Sequence, residues 1–213
     1  MRISNLVKAT ALAGAVWFAA PAPSYAAGEQ PGAVVNEDGM YTQNWFFESF
    51  LELREDLDES AGSGKRFAII WEQRGCPYCR ETHLVNFAVP EIREFVKGNF
   101  NLVQLNIHGT REVTDFDGAK MSEAELATKY GVRFTPTVTF YHEAPNHGAS
   151  GPSKKVTWES IELSRMTGYY KPFHFLAVFK YVKEKGYEGQ KFGAYVAAIR
   201  ARRLKAGKPV KFR

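Results

Sequence analysis

The stretch Glu72-Gln-Arg-Gly-Cys-Pro-Tyr-Cys-Arg-Glu-Thr-His83 contains the only two cysteines of this 213-residue chain, Cys76 and Cys79. The apolar run before it, 67–71, is typical of a buried strand. The residues after it, 80–87, lack Pro and Gly and favour a helix. The cysteine pair is therefore predicted to lie where a strand passes into a helix.

The start of a helix stabilises a thiolate, because the amides of the first turn are unpaired and the positive end of the helix dipole lies there. Pro77 suits the first helical position, since it has no amide hydrogen. Cys76 would then be an exposed thiol at the cap, with a pKa below that of a free cysteine. Cys79 lies one turn further on the same face, within reach of a mixed disulfide at Cys76. We interpret Cys76 as the nucleophile and Cys79 as the resolving thiol.

Two other uses of a close cysteine pair fit this sequence less well. A structural zinc site needs about four Cys or His ligands, whereas the histidines are scattered. They are His83, His108, His142, His147 and His174. A purely structural disulfide that closes so short a loop would remove little chain entropy. We therefore predict a redox-active Cys76–Cys79 disulfide, with no metal and no other cofactor.

The N-terminus has the features of an export signal. Basic residues precede an apolar run at 9–20, and small residues after it fit cleavage following Ala26 or Ala27. The run is shorter than the roughly 20 residues that span a bilayer, so an uncleaved anchor is the weaker alternative. Residues 1–26 are predicted to be a signal peptide, with a periplasmic destination, and residues 27–43 a flexible leader.

Charge is unevenly distributed along the chain. The net charge of +5 falls to +3 without the signal peptide, and to −4 when the last fourteen residues, with seven basic side chains and no acid, are also removed. Residues 27–199 are therefore mildly acidic and the C-terminal end is basic. The domain is predicted at 44–200 and a basic tail at 201–213. Such tails are mostly just solvated; weak contact with a membrane surface or an acidic partner is the alternative. Nothing indicates nucleic acid as a partner.

The remaining elements follow from periodicity, caps and turn residues. Predicted helices are 45–57, 91–97, 122–130 (capped by Ser122 with Glu125 and ended by Gly131), 173–185 and 192–204. Predicted strands are 100–107, 132–141, 154–158 and 163–167, with a loop at 142–153. The insertion at 109–120 is interpreted as a turn, because a calcium loop that begins at Asp115 would place Leu126 where a bidentate Glu is required.

This order of elements resembles the thioredoxin superfamily, as do Cys76-Pro77-Tyr78-Cys79 at a strand–helix junction and Phe134-Thr135-Pro136-Thr137 before a strand. The resemblance implies an α/β thioredoxin-like fold, with a central mixed β-sheet flanked by helices and a C-terminal helical extension. It also implies that the bond before Pro136 is cis, and that Thr135 offers backbone hydrogen bonds to a bound thiol substrate. We therefore assign Pro77, Tyr78, Thr135 and Pro136 to the substrate-binding surface.

Three further stretches are similar to the SoxW-type periplasmic thioredoxins of sulfur-oxidation clusters. They are Glu72-Gln73, the insertion 111–118 and the segment 168–175. This resemblance implies a thiol–disulfide oxidoreductase that reduces exported proteins and is recharged by a membrane electron carrier. It is the source of the predicted direction of electron flow and of the predicted link to sulfur oxidation.

Three charged residues near the dithiol are candidate modulators. Cytoplasmic thioredoxins carry a buried acid six residues before the first cysteine, where this chain has Ile70. Glu72 is a conceivable substitute, although a glutamate at the end of a strand is more often solvated. Arg74 and Arg80 flank the dithiol and could lower the pKa of Cys76 by charge, although Arg80 also fits an ordinary helix surface.

His83 and Tyr169 each allow a functional and a structural interpretation. His83 lies four residues beyond Cys79, so it either borders the dithiol or only covers the helix, and the structural interpretation is favoured. Tyr169 is predicted to belong to the core rather than to a binding site.

The sequence therefore leads to one main hypothesis, an exported thiol–disulfide oxidoreductase. An oxidase or isomerase of secreted proteins would use the same residues with electrons flowing the other way. A metal or cofactor carrier that uses both cysteines and a histidine is a third alternative, and a scaffold with an incidental dithiol is a fourth.

Overall fold

The structure is a computed structural model that describes residues 32–143 and 156–212. The predicted signal peptide, residues 27–31 of the leader and residues 144–155 lie outside the described residues. Among the residues that are described, no helix is both long and apolar enough to cross a membrane.

The described residues fold into strands and helices. The strands are β1 (Ala33–Val35), β2 (Tyr41–Gln43), β3 (Arg66–Glu72), β4 (Phe100–Asn106), β5 (Glu112–Thr114), β6 (Lys120–Ser122), β7 (Thr137–Tyr141) and β8 (Glu162–Thr167). The helices are α1 (Leu53–Gly62), α2 (Pro77–Glu81), α3 (Pro90–Asn99), α4 (Glu123–Lys129), α5 (Trp158–Ile161), α6 (Pro172–Lys183), α7 (Gly186–Gly189) and α8 (Phe192–Lys205). A π-helical turn, Thr82–Asn86, directly continues α2.

A four-stranded mixed sheet in the order β4-β3-β7-β8 forms the centre of the domain. β3 is parallel to β4 and antiparallel to β7, and β7 is antiparallel to β8. All seven residues of β3 are buried, as expected for a central strand that is covered on both faces. Because β3 is buried on both faces, its sequence is an unbroken apolar run at 67–71.

The two faces of the sheet carry separate hydrophobic cores. Phe67, Ile69 and Trp71 of β3 pack on one side with α1 and α4. Ala68 and Ile70 pack on the other side with α3, α6 and Phe87, the residue that follows the π-helical turn. Because side chains alternate along a strand, the last residue of β3, Glu72, belongs to the second face. The predicted mixed sheet flanked by helices is confirmed.

The predicted first helix, 45–57, is wrong over its first eight residues, 45–52. Helix α1 begins at Leu53, and Leu51 just before it has a positive φ of 62°. Trp45 and Phe46 instead contact the buried ring of Phe87 edge-on, with centroids 5.2 and 5.7 Å away. The helical spacing of these aromatic residues reflects their packing against the folded domain and not a local helix.

Two stretches interpreted as irregular contain hairpins. Residues 32–43, predicted to be part of a flexible leader, include the antiparallel pair β1 and β2. The insertion at 109–120 contributes β5 and the first residue of β6, which pair in the same way. Both segments are rich in turn residues, and this composition predicts loops. In the structure, backbone hydrogen bonds across each turn form a hairpin.

Several helix boundaries differ from the predicted ones. The helix after the first cysteine starts at Pro77, as predicted, but it ends in the π-helical turn. Trp158 opens a short helix where a strand was predicted. The capping box of Ser122 with Glu125 is confirmed.

The predicted basic tail is also corrected. Helix α8 runs to Lys205, so residues 201–205 are helical. Arg203 within it is 7% exposed and donates to both carboxylate oxygens of Glu91, at 2.5 and 2.9 Å. Its guanidinium also lies 4.9 Å from the ring centre of Phe212. This part of the basic segment therefore packs on the domain.

Asp56 in α1 should make stability depend on pH. Burial raises the pKa of this carboxyl to about 6, while the hydroxyl of Ser49 donates to it at 2.6 Å and partly offsets the shift. A pKa raised in the folded state means stability that is complete below the unfolded value of 3.8 and is lost as pH rises through about 6. We expect Asp56→Asn to raise the free energy of unfolding at pH 7.5 by about 1 kcal/mol, after allowance for solvent screening.

Urea unfolding at pH 4 and pH 7.5 measures this effect, and the gain should shrink at pH 4. Glu55→Gln is the matched control, since it removes the same charge from the exposed neighbour. A gain at pH 7.5 of equal size in both variants would contradict a cost specific to the buried carboxyl.

Candidate active site

The cysteine pair lies at the junction between β3 and α2. Cys76 is the N-cap residue of α2, with φ −75° and ψ 114°, and Pro77 occupies the first helical position. The amide of Cys79 donates to Sγ of Cys76 at 3.1 Å. The two residues form a disulfide with Cα atoms 5.2 Å apart. An unpaired helix-start amide is therefore directed at the sulfur of Cys76, as the sequence predicted.

The burial of Cys76 differs from the prediction of an exposed thiol. Cys76 is 8% exposed and Cys79 is 4% exposed. A segment 59 residues further along the chain covers Cys76: the carbonyl oxygen of Thr135 lies 3.5 Å from its Sγ, and the Thr135 hydroxyl donates to the same sulfur at 3.4 Å. Little of Cys76 is therefore accessible to solvent, and Thr135 contributes to its cover.

The loop before β7 has the conformation that the resemblance implied. The bond between Thr135 and Pro136 is cis. The carbonyl of Pro136 accepts a hydrogen bond from the amide of Gly168 at 2.8 Å, which joins this loop to the residue after β8. The structure thus brings Thr135 and Pro136 together with the dithiol.

An aromatic pair borders the disulfide. Tyr78, between the cysteines, is 59% exposed and stacks on Tyr169 with ring centres 5.8 Å apart and planes 15° apart. The Tyr169 hydroxyl donates to Oδ1 of Asn86 at 3.2 Å, and burial raises the pKa of Tyr169, which keeps the phenol neutral. Phe134, beside Thr135, is 65% exposed. The prediction that Tyr169 belongs to the core is therefore wrong, and the sequence did not predict that Tyr169 and Phe134 border the site.

The two flanking arginines do not contact the sulfurs. Arg80 is exposed, and its nearest ionic partner is Glu81 at 4.0 Å. Arg74 lies against the turn of the N-terminal hairpin, where a Cβ added at Gly39 would be 3.0 Å from its Nε. Among the hydrogen bonds of the described residues, neither arginine donates to a cysteine sulfur. Their predicted effect on Cys76 is therefore limited to longer-range charge.

Glu72 is not solvated, contrary to the preferred interpretation of the sequence. Glu72 and His83 are both 0% exposed, and His83 Nε2 lies 2.9 Å from Glu72 Oε2. The amide of Gln104, from β4, donates to the same oxygen. Nε2 of Gln43, from β2, lies 3.2 Å from the other ring nitrogen of His83. No sequence motif marked either glutamine, because their elements meet only in the folded chain.

No metal site is evident in the two described ranges: they contain no cluster of three or more His, Cys, Asp or Glu side chains arranged to hold an ion. The chemistry that this site displays is that of a disulfide at a helix start, facing a cis-proline loop. Two sulfur atoms in this setting can accept or release two electrons together with two protons.

Comparisons with known proteins agree with this architecture. Residues 53–149 match the model of the family described as a thioredoxin-like domain. A solved thioredoxin-fold protein from Helicobacter pylori is 24% identical, with a TM-score of 0.50 over 63% of this chain and 84% of that chain. A thioredoxin from Thermus thermophilus is 20% identical, with a TM-score of 0.45 over 63% of this chain and 86% of that one.

The oxidised C-terminal domain of DsbD from Neisseria meningitidis is 13% identical, with a TM-score of 0.41 over 64% of this chain and 98% of that chain. The comparison with curated proteins gave no match. The family match and the Helicobacter pylori structure, together with the sheet described above, show a thioredoxin-like fold. The predicted fold class is confirmed.

Proposed function

We propose that this protein is an exported, periplasmic thiol–disulfide oxidoreductase that reduces disulfides in partner proteins. The observation that carries the proposal is the contact between the amide of Cys79 and Sγ of Cys76 at 3.1 Å, at the start of a helix. In the reduced protein the same amide would stabilise a thiolate on Cys76. The carbonyl oxygen of Thr135 lies 3.5 Å from the same sulfur, and we assign it to the contact with an approaching substrate disulfide.

The reaction proceeds in two thiol–disulfide exchanges. The Cys76 thiolate attacks one sulfur of the substrate disulfide, forming a mixed disulfide and releasing the other substrate sulfur as a thiolate, which takes up a proton. Cys79 then loses its proton and attacks Cys76, which forms the Cys76–Cys79 disulfide and releases the second substrate thiol. Two electrons and two protons pass to the substrate.

The surface around the sulfurs supports a protein substrate. Tyr78 and Phe134 are large apolar side chains left exposed beside a nearly closed disulfide, and exposed aromatic residues favour contact with a partner chain. We assign Pro77, Tyr78, Thr135 and Pro136 to this contact. The resemblance to SoxW-type thioredoxins supports sulfur-oxidation proteins as substrates and a membrane electron carrier as the reductant.

A trapping experiment tests the proposed function. With Cys79→Ser, attack by Cys76 still occurs but resolution is blocked, so we expect substrate proteins to accumulate in disulfide-linked complexes. Periplasmic extracts separated on non-reducing gels, with and without dithiothreitol, measure this. The variant with serine at both positions is the matched control. Absence of any complex dependent on Cys76 would contradict turnover of protein disulfides.

The equilibrium reduction potential of the Cys76–Cys79 disulfide tests the direction of electron flow. A value near that of thioredoxin, about −270 mV, supports the reductase, whereas a value near that of DsbA, about −120 mV, would instead support an oxidase. Equilibration with glutathione or dithiothreitol buffers gives the value directly.

A further inference from the structure

A cavity lies beside the C-terminal end of the described chain. Its volume is about 470 Å³, and residues from the start of α6, from α8 and from the segment 210–212 line it. Sites that bind a small molecule or cofactor typically have volumes of about 300–1,000 Å³, so this cavity is large enough to receive a group of side chains from another chain. None of the residues assigned above to disulfide exchange lines it.

One wall of the cavity is a chain segment that a buried arginine holds in place. After α8, Gly207 has a positive φ of 65° and lets the chain turn back. The amide of Lys208 donates to the carbonyl of Arg203 at 2.9 Å. Nε of Arg203 in turn donates to the carbonyl of Pro209 at 2.9 Å, and its guanidinium lies 4.9 Å from the ring centre of Phe212. The returning segment is therefore fixed to the domain.

The opposite wall continues from the aromatic pair at the disulfide. Nδ2 of Asn86 donates to the carbonyl of Tyr170 at 2.9 Å, and its Oδ1 accepts from the hydroxyl of Tyr169. Lys171 follows directly and lines the cavity. Because Tyr169 also stacks on Tyr78, the cavity begins two residues beyond a ring that borders the disulfide. Two residues separate Cα atoms by at most about 7 Å.

Much of the lining is apolar. Phe173 of α6, Val196 of α8, Val210 and Phe212 all line the cavity and are partly buried. The apolar lining continues past Phe212 into a second cavity of about 690 Å³. Val85 of the cysteine-bearing helix, that is α2 with its π-helical turn, lines this second cavity and is 39% exposed. An apolar side chain that entered here would gain free energy from burial.

The charged side chains at the first cavity all have the same sign. Lys171, Arg200 and Lys211 line it, together with the imidazole of His174, and no acidic residue is among the described residues that do so. All four side chains are exposed. In the described part of the chain, none of the three cations takes part in an ion pair or a side-chain hydrogen bond. We call this site the basic cavity.

Basic side chains on the adjoining surface are paired instead. A neighbouring cavity along α8 contains two acids, Glu91 and Glu184. Glu91 pairs with Arg203 at 2.5 Å and with Lys180 at 3.9 Å. Residues 27–199 carry a net charge of −4, so the unpaired cations do not reflect a generally basic domain. A cleft lined by one sign of charge concentrates molecules of the opposite sign.

Shape, charge and position together select the occupant. An apolar lining inside a cavity receives an inserted side chain, whereas a bilayer surface would reach only the cations at the rim. Unpaired cations beside apolar side chains complement a chain that carries carboxylates next to an apolar residue. The wall shared with Tyr169 places the basic cavity next to the surface assigned to the substrate protein.

We propose that the basic cavity docks a segment of the substrate protein in which carboxylate side chains flank an apolar one; this inference rests on the proposed reduction of protein disulfides. The carboxylates contact Lys171, Arg200 and Lys211, and the apolar side chain lies against Phe173 and Phe212. Docking holds the substrate disulfide near Cys76 and involves no covalent step. The basic cavity thus selects among exported proteins for those with an acidic segment a few residues from the disulfide.

Steady-state reduction of two synthetic disulfide peptides tests the proposal. The peptides differ only in one stretch near the cysteine, which has a leucine between glutamates in one and between lysines in the other. We expect the acidic peptide to have the lower KM. The double variant Arg200→Gln with Lys211→Gln should raise that KM about fivefold, as for the loss of two exposed ion pairs, and should leave kcat unchanged because neither group contacts a sulfur.

The double variant Arg202→Gln with Lys205→Gln is the matched control. It removes the same charge from exposed positions of α8 that do not line the basic cavity. Its KM for the acidic peptide should stay within about twofold of the wild-type value. Equal KM values for the two peptides, or the same increase in both double variants, would overturn the proposal.

Direct binding separates this inference from the proposed function. The acidic peptide without cysteine is titrated into the oxidised protein, and amide shifts are followed by NMR. We expect shifts confined to 171–174, 196–200 and 210–212. Binding there by a protein that reduces no disulfide would refute the proposed function and support the docking site. Disulfide reduction without these shifts would refute the docking site alone.

Two other occupants are outcomes of the same experiment. Vesicles of phosphatidylglycerol and phosphatidylcholine test a lipid surface, and sedimentation equilibrium tests a second copy of the chain. Vesicle binding, or dimer formation, that is lost in the Arg200→Gln, Lys211→Gln protein while the acidic peptide fails to bind would overturn the proposal in favour of that occupant.

Discussion

Replacing Cys76 with serine should lower the rate of disulfide reduction by at least about a thousandfold, since a serine hydroxyl is not ionised at neutral pH and cannot begin the exchange. The structure gives this position two features: a helix-start amide directed at its sulfur and contacts from the carbonyl and hydroxyl of Thr135. Insulin reduction in the presence of dithiothreitol measures the loss against the rate of dithiothreitol alone.

Cys79→Ser provides the matched comparison, because it makes the same atomic change one helical turn further on. Both variants should lose multiple turnover, but only Cys79→Ser should keep a thiol that iodoacetamide modifies rapidly below neutral pH. If the thiol of Cys79 proved the more reactive one in the two single variants, the assignment of nucleophile and resolving thiol would have to be reversed.

The largest expected loss of stability is for Phe179→Ala in α6. This side chain is 0% exposed and contacts three buried rings, those of Phe100, Phe140 and Phe175, with centres 4.9, 5.0 and 5.0 Å away. Truncation removes apolar burial and leaves a cavity between α6 and the sheet, which costs roughly 3–5 kcal/mol for a buried Phe. Since the free energy of unfolding of a domain is typically about 5–15 kcal/mol, this single change should leave the folded state only marginally stable.

Urea unfolding followed by circular dichroism measures the loss. Phe50→Ala is the control, since Phe50 is 97% exposed and its truncation should change the free energy of unfolding by less than about 0.5 kcal/mol. Similar midpoints for the Phe179→Ala and wild-type proteins would show that α6 does not contribute the packing described above.

Local patterns in the chain were sufficient for the framework of the fold. The apolar run at 67–71, the proline after Cys76 and the Ser122–Glu125 box each depend on residues within a few positions, so the central strand, the helix start and the cap of α4 follow from them. The hairpins at the N-terminus and in the insertion were not predictable in this way, because cross-strand pairing, and not composition, orders them.

Trp45 and Phe46 show the opposite error, in which the sequence predicts a helix that the structure does not contain. Their period fits a helix, but both rings are held by Phe87, 41 or more residues away in the chain. When an aromatic side chain gains more from a distant core than from a local turn, helical periodicity is present without a helix.

The sequence by itself determined that this chain has one close cysteine pair and which cysteine lies at a helix cap, and its resemblance to a known fold indicated which proline loop should face the pair. Only the tertiary structure decided that Cys76 is buried against Thr135, that Tyr169 stacks on Tyr78, and that Glu72 is buried against His83. The physical reason is range: a cap or a strand is specified by neighbours in the chain, whereas the burial of a carboxylate depends on what β2, β4 and the cysteine-bearing helix place around it once they have packed.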